Sequence, residues 1–340
     1  TIMTGTVLAP IGILLLVACL IAMITRRLGL PYIVGLVVGG FLIALLPIAP
    51  ELPLSRELIF NILLPPLVFE AALQLDWRRF RDELVLTLTL AFLGVGIAGT
   101  VVAAGMHYVI GWSWIGAALF GALIAATDPV SVIAAFREMK AEKRLSMVVE
   151  SESLLNDGAA AACFAVLLAF AGGGSQGPIA SMIAFLWATF GGVLTGLTIS
   201  GLAILIAGRT DDHLIEITLT TVAAYSSFLV AEHFHASGVI AALTSGLTIG
   251  RFGQSILAAD EGPLILSLWE YVAFLANSLV FILIGMNEAS QPLREFASLA
   301  AVGAVALVLL GRAVSIYPLA LLFSRSRWRL PMPYQHILFW

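Results

Sequence analysis

The chain has 340 residues, 60% of them hydrophobic and 11% charged, with a formal net charge of −4. Its mean hydropathy is +1.04, and soluble domains carry roughly 25% charged residues, so a water-soluble fold is excluded. The small net charge also removes any composition-level support for nucleic-acid binding.

Apolar runs long enough to cross about 30 Å of hydrocarbon recur along the chain, which predicts an all-α polytopic membrane protein. With breaks set at charges, glycines and prolines, the first six crossings are predicted over 8–24, 32–46, 58–75, 84–110, 114–136 and 145–170. The first is read as a retained helix, because Arg26 and Arg27 follow it and no small-residue cleavage site does. Gly172-Gly173-Gly174 then breaks the chain, and five further crossings are predicted over 179–207, 214–230, 236–250, 264–286 and 296–323. Leu330-Pro331-Met332-Pro333 opens another apolar run, Ile337 to Trp340, the expected start of a twelfth crossing left incomplete here. Cys19 and Cys163 lie inside apolar runs and act there as small hydrophobes. Gly35 and Gly39, like Gly192 and Gly196, have the small-residue spacing that lets membrane helices approach closely.

The distribution of basic residues orients these crossings, since cytoplasmic loops carry the excess of Lys and Arg. With the N-terminus outside, Arg56 and Arg294 fall on the outer side, Arg312 falls within the membrane, and the rest of the 17 Lys and Arg residues fall inside. Reading 236–250 as a re-entrant loop would move Arg325, Arg327 and Arg329 outside, so it counts as a crossing.

A charge at the centre of a membrane helix costs roughly 2.5 to 3.5 kcal/mol on the insertion scale, so each one needs a partner or a purpose. Glu70, Asp128, Glu152 and Asp157 fall within predicted spans, and Arg312 is the one base at comparable depth. That acidic excess suits a pathway for cations and protons and does not suit anions. Asp157 lies twelve residues beyond Leu145, about 18 Å into its helix and near the midplane. Glu152 and Asn156 are four residues apart, as are Ser153 and Asp157, so the pairs form adjoining stripes of one polar face. Carboxylate, amide and hydroxyl oxygens together suit a hard cation such as sodium. Glu152 is read as the structural partner of Arg312.

Thr127-Asp128-Pro129 sits within the fifth predicted crossing, where proline removes an amide donor and disfavours helix at the residue before it. An opened backbone there would offer Thr127 and a freed carbonyl to a cation, with Asp128 offsetting exposed helix-end amides. A plain proline kink capped by Asp128 is the alternative. Glu70, after Pro65-Pro66, is either a ligand on the access path or a carboxylate near the inner interface. Glu232, His233 and His235 are too closely spaced on one helix to converge on a metal, and are read as a solvated loop.

Ala126-Thr127-Asp128-Pro129-Val130 and Glu152-Ser153-Leu154-Leu155-Asn156-Asp157-Gly158 resemble motifs of the monovalent cation:proton antiporter family, in its electroneutral sodium/proton exchanger branch. Leu64 to Ala71, Ala231-Glu232 before Ser237-Gly238, and Gly311-Arg312 also look like family signatures, so the resemblance covers essentially the whole chain. It implies an inverted-repeat fold of about thirteen helices with discontinuous helices, the second broken one beyond residue 340. It implies one transmembrane antiporter domain over 1–340, in which 8–75 with 179–286 form a dimerisation part and 84–170 with 296–340 form the ion-transporting core. Carried over residue by residue, it makes Asp157 the shared cation and proton site and Asn156 its neutral neighbour. Thr127, Ser153 and Glu70 contribute to sodium binding, Asp128 serves the core, and Glu152 with Arg312 forms a core ion pair.

The expected function is therefore secondary antiport of Na⁺ or Li⁺ against H⁺ by a homodimer in the cell (inner) membrane, with no cofactor and no enzymatic step. One carboxylate exchanging Na⁺ for H⁺ moves no net charge, whereas an aspartate in place of Asn156 would add a second titrating group. The alternatives are K⁺/H⁺ antiport, an intramembrane aspartyl protease using Asp128 and Asp157 as paired acids, and a sensor that binds ligand without flux.

Overall fold

The computed structural model describes residues 3–46, 55, 57–127, 136, 142–172, 177–210, 212–256, 262–289 and 299–339. Among these residues the chain is helical without strands. Six helices are long and apolar enough to cross a membrane: Trp77–Ile110, Lys143–Ala171, Ile179–Ala207, His213–His233, Leu264–Ala289 and Ala301–Leu322. Shorter apolar helices cover Ile11–Thr25, Tyr32–Ala44, Leu58–Gln74, Trp114–Ile124 and Gly238–Phe252. Each predicted crossing thus contains helix among the described residues, and the chain is an integral membrane protein. Hydrogen bonds closed within each segment are what hydrocarbon demands of a spanning backbone.

The chain divides into two compact units, one of Thr1–Glu70 with Pro263–Ala297 and one of Ala71–Gly262 with Ser298–Trp340. The first unit contains α1 (Met3–Leu28), α2 (Tyr32–Ala44), most of α3 (Leu64–Gln74, entered through a π-helical turn at Leu58–Leu63) and nearly all of α11 (Gly262–Ala289). Its core is made by Leu14, Leu36 and Ile282, all fully buried. α2 can lie so close to α11 because Gly40 carries no side chain: a Cβ there would stand 2.2 Å from the Ile282 carbonyl oxygen. On its other face, Cβ atoms at Gly35 and Gly39 would meet Thr25 and Ile21 of α1. Phe69 and Trp269 complete this unit, with ring centroids 4.6 Å apart.

The second unit is built from α4 (Trp77–Leu88), α5 (Gly94–Gly105), α6 (Trp114–Ile124), α7 (Lys143–Ala171), α8 (Pro178–Ala207), α9 (His213–His233), α10 (Gly238–Ile256), α12 (Leu299–Leu322) and α13 (Met332–Phe339). π-helical turns at Thr89–Leu93 and Met106–Ile110 join α4 and α5 into one span. The predicted start at 84 is corrected to Trp77, because the Asp76 carboxylate accepts from the amides of Arg78 and Arg79 and caps a charged first turn. A boundary set at charges marks where hydrocarbon ends, and the capped helix continues past it.

α10 packs along α8 through the predicted small-residue seam. A Cβ at Gly196 would lie 2.4 Å from the Ala241 carbonyl oxygen, and one at Gly192 would lie 2.7 Å from that of Ser237. α10 also has a two-sided N-terminal cap, with Ser237 Oγ accepting from the Ile240 amide and Glu232 Oε1 accepting from the Gly238 amide. Glu232 is therefore a helix-capping carboxylate and belongs to the fold of this corner. It is exposed, as are His233 and His235, in keeping with their reading as solvated, and the turn at His235, with φ of +56°, brings it back over the next helix.

Candidate functional site

Within the predicted crossing over 114–136 the helix is interrupted after Ile124, and 128–135 lie outside the described residues. α6, capped by Ser113 at its start, ends at Ile124, with Ala125 as its last αR residue. Thr127 is already outside helix, as expected from the proline two residues on. Asp128 and Pro129 lie outside the described residues. Ala125 packs with Val95, Ala98, Ala159 and Ala160, a core of small side chains that lets the broken end of α6 sit directly on α5 and α7.

Backbone released from a helix inside a membrane needs new partners, since an unsatisfied amide or carbonyl has no water to bind. α7 supplies them. The Ser153 hydroxyl donates to the Thr127 carbonyl. Asn156 Nδ2 donates to Thr127 Oγ1 at 2.9 Å, and the Thr127 amide donates to Asn156 Oδ1 at 3.4 Å. Two side chains of α7 thus satisfy the amide, carbonyl and hydroxyl of Thr127 together. Both are buried, Ser153 at 2% and Asn156 at 1% exposure.

The same network continues away from the break. Asn156 Nδ2 also lies 3.3 Å from Glu152 Oε1, which accepts from Arg312 Nη1 of α12 at 3.1 Å. The Glu152 side chain is 5% exposed and that of Arg312 14%, so this ion pair is largely removed from solvent. The second Arg312 nitrogen, Nη2, donates to the Leu338 carbonyl in the last turn of α13. Hydrogen bonds therefore run from α13 and α12 through Glu152 and Asn156 to Thr127. Cooperative networks of this kind fix one arrangement when every member is satisfied.

Asp157 follows Asn156 on the same helix. It lies fourteen residues past Lys143 in a helix of 29, about 21 Å along the axis and at its centre. Residues 151–154, 156 and 158–160 around it are largely buried, whereas Asp157 is exposed at the surface of the second unit. Ser153 and Asn156 hold Thr127, while Asp157 is exposed. A one-residue step turns an α-helix by about 100°, which separates Asn156 from Asp157. Glu70 is half-buried near the end of the first unit.

Among the described residues no three His, Cys, Asp or Glu side chains gather as a metal cluster. What the arrangement supplies is one accessible carboxylate at mid-membrane depth, beside a broken helix end whose backbone is held in place. Such a carboxylate can bind a proton or a hard monovalent cation, one at a time.

Ser153→Ala should leave the Thr127 carbonyl without its donor. The expected cost is about 1–3 kcal/mol of stability, the usual penalty for a buried polar group left unpaired. Thermal unfolding in detergent would measure it, and an unchanged midpoint would mean that the carbonyl has another donor.

Comparison with known proteins agrees with this geometry. Residues 13–340 match the family described as sodium/hydrogen exchanger, transmembrane. The chain is 36% identical over 335 residues to the Na(+)/H(+) antiporter NhaS2 of Synechocystis sp., covering 98% of this chain and 61% of that protein. It is 39% identical over 292 residues to the Na(+)/H(+) antiporter ApNhaP of Aphanothece halophytica, covering 85% of this chain and 56% of that one. Its fold is similar to the solved structure of the sodium proton antiporter MjNhaP1 from Methanocaldococcus jannaschii at pH 8, with a TM-score of 0.79 at 19% identity, covering 100% of this chain and 85% of that chain. The chain spans about three fifths of the length of the curated relatives it matches. With a mid-membrane aspartate, a satisfied helix break and a match over nearly its whole length, this chain belongs to the sodium/hydrogen exchanger family of transmembrane proteins.

Proposed function

We propose that this chain is the transport portion of a secondary antiporter that exchanges Na⁺ for H⁺, the two competing for Asp157. The observation that carries the proposal is an accessible carboxylate at the centre of a membrane-crossing helix. Lipid contact at that depth would be costly, so the surface around Asp157 is water-lined and reachable by ions. Na⁺/H⁺ antiport is also what the printed names of its relatives describe.

In this reading, deprotonated Asp157 binds Na⁺ while the Ser153 and Asn156 bonds keep the Thr127 end in register beside it. The core then exposes the site to the opposite side, Na⁺ leaves, and a proton takes the carboxylate back. Thr127 supplies further oxygens. Each turnover moves one positive charge each way. Exchange requires no cofactor and no covalent step. The protein works as a homodimer in the inner membrane with its N-terminus outside, as the family resemblance and the positive-inside bias support.

The test is pH-gradient dissipation by the full-length protein in proteoliposomes, driven by Na⁺, Li⁺ or K⁺ in turn. Na⁺ and Li⁺ should drive proton movement, and clamping the membrane potential at different values should leave the rate unchanged. A rate that follows the potential at fixed ion gradients would refute one-for-one exchange, and activity with K⁺ alone would reassign the cargo.

A further inference from the structure

Two basic stretches far apart in the chain meet at one end of the second unit. α4 opens with Arg78, Arg79 and Arg81, and the connection from α12 to α13 carries Arg325, Arg327 and Arg329. Directed bonds fasten that connection down. Trp328 Nε1 donates to the Asp82 carbonyl at 2.7 Å. The Arg144 guanidinium grips Glu83 at 2.7 and 3.1 Å and also donates to the Arg329 carbonyl at 3.2 Å. Tyr334, next along, donates to the Glu142 carboxylate. Leu330 is buried in the same core as Leu86 and Leu145.

Much of the acidity here is already engaged, with Asp76 on Arg79 at 3.3 Å and Glu83 on Arg144. Arg78, Arg81, Lys143, Arg325, Arg327 and Arg329 are exposed and have no salt-bridge partner among the described residues. On these segments Asp82 and Glu142 remain to offset them. The Arg327 guanidinium lies 4.5 Å above the Trp328 ring.

Topology explains why such loops are basic, but a loose basic loop would satisfy it equally well. Here tertiary bonds hold the two arginine-bearing segments together against the repulsion of their like charges. Immediately before the loop, Leu321 and Leu322 are 68% and 71% exposed in the last turns of a membrane-crossing helix. Exposed leucines there border hydrocarbon, so the arginines that follow sit at headgroup depth, with Trp328 as an interfacial aromatic.

We propose that this surface binds the headgroup of an acidic phospholipid, its phosphate taken by Arg325, Arg327 and Arg329 together with Arg78 and Arg81. Guanidinium groups offer paired donors matched to phosphate oxygens, and low dielectric at the interface strengthens the bonds. A bound headgroup would tie the α12–α13 connection to α4 and so stabilise the second unit. The inference needs only that the protein spans a membrane, and its readout is binding, so its outcome is independent of the transport reading.

The test uses the full-length protein in detergent, titrated with phosphatidylglycerol, phosphatidylcholine or inorganic phosphate. Retained lipid is read by native mass spectrometry and stability by the unfolding midpoint. Phosphatidylglycerol should be retained and raise the midpoint, and phosphatidylcholine should do neither. R325Q/R327Q/R329Q should weaken phosphatidylglycerol retention by about fivefold for each arginine removed, whereas R209Q, on another connection, should leave it unchanged. R78Q/R81Q removes charge without touching the bonds that fasten the loop, and serves if the triple variant fails to fold. Unaltered retention in R78Q/R81Q, or an equal response to inorganic phosphate alone, would overturn the proposal.

Discussion

Sodium-driven proton movement should fall to the level of protein-free vesicles when Asp157 is replaced by asparagine. The substitution conserves volume and hydrogen-bonding capacity but removes both the negative charge that draws Na⁺ and the group that carries the proton. Neither half of the exchange survives. Because Asp157 is exposed while its neighbours Ser153 and Asn156 make the contacts to Thr127, folding should be nearly untouched, within about 0.5 kcal/mol as for most accessible positions. Flux and thermal unfolding measured on the same preparation separate the two effects. Retained exchange at wild-type rates would remove Asp157 from the mechanism, and lost exchange with a collapsed midpoint would make it a folding residue.

Arg312→Ala should produce the opposite pattern, a large loss of stability. Glu152 is 4% exposed and would keep its charge without its counter-ion, while the Leu338 carbonyl would lose a donor. Breaking a buried pair from one side costs about 3–5 kcal/mol, because the remaining charge is stranded in low dielectric. Glu152 also receives a hydrogen bond from Asn156, so the disturbance should reach Thr127 and lower transport as well. Removing both charges as Glu152→Gln with Arg312→Met should recover much of the loss, since the pair's net contribution is smaller than the cost of breaking it. Unfolding midpoints of the wild type, both single variants and the double variant give the coupling directly. An Arg312→Ala protein that unfolds with the wild type would show that Glu152 has another counter-charge.

The two variants divide the polar face of α7 by what each side chain touches. Glu152, Ser153 and Asn156 are buried, Ser153 and Asn156 holding the broken end of α6 and Glu152 holding Arg312 of α12, which in turn bonds the last turn of α13. Asp157 is exposed on the same helix. Spacing along the helix showed that these residues share a helix and roughly a face, and charge balance alone named Arg312 as the partner of Glu152. The inward and outward division was not legible, because a stripe four residues wide does not say which edge a neighbouring helix covers.

Other differences have the same origin. The helix break was legible at Thr127-Asp128-Pro129 because proline acts locally on the residue before it. Its repair was not, since the donors come from Ser153 and Asn156, more than twenty residues away. The true start of α4 at Trp77 depended on a cap at Asp76 that hydropathy does not weigh. The exposure of Glu232 was legible in the sequence, whereas its bond to the Gly238 amide depends on the turn at His235.

The sequence by itself determined the solvent, the helical class, the positions of the crossings and the small set of charges that had to matter, because water-free surroundings penalise every exposed amide and every unpaired charge by several kcal/mol. Tertiary structure decided that Glu152 is buried in its pair with Arg312 and that Asp157 is exposed. That outcome rests on contacts between residues distant in the chain, where one step along α7 makes Asn156 a buried clamp and leaves Asp157 exposed.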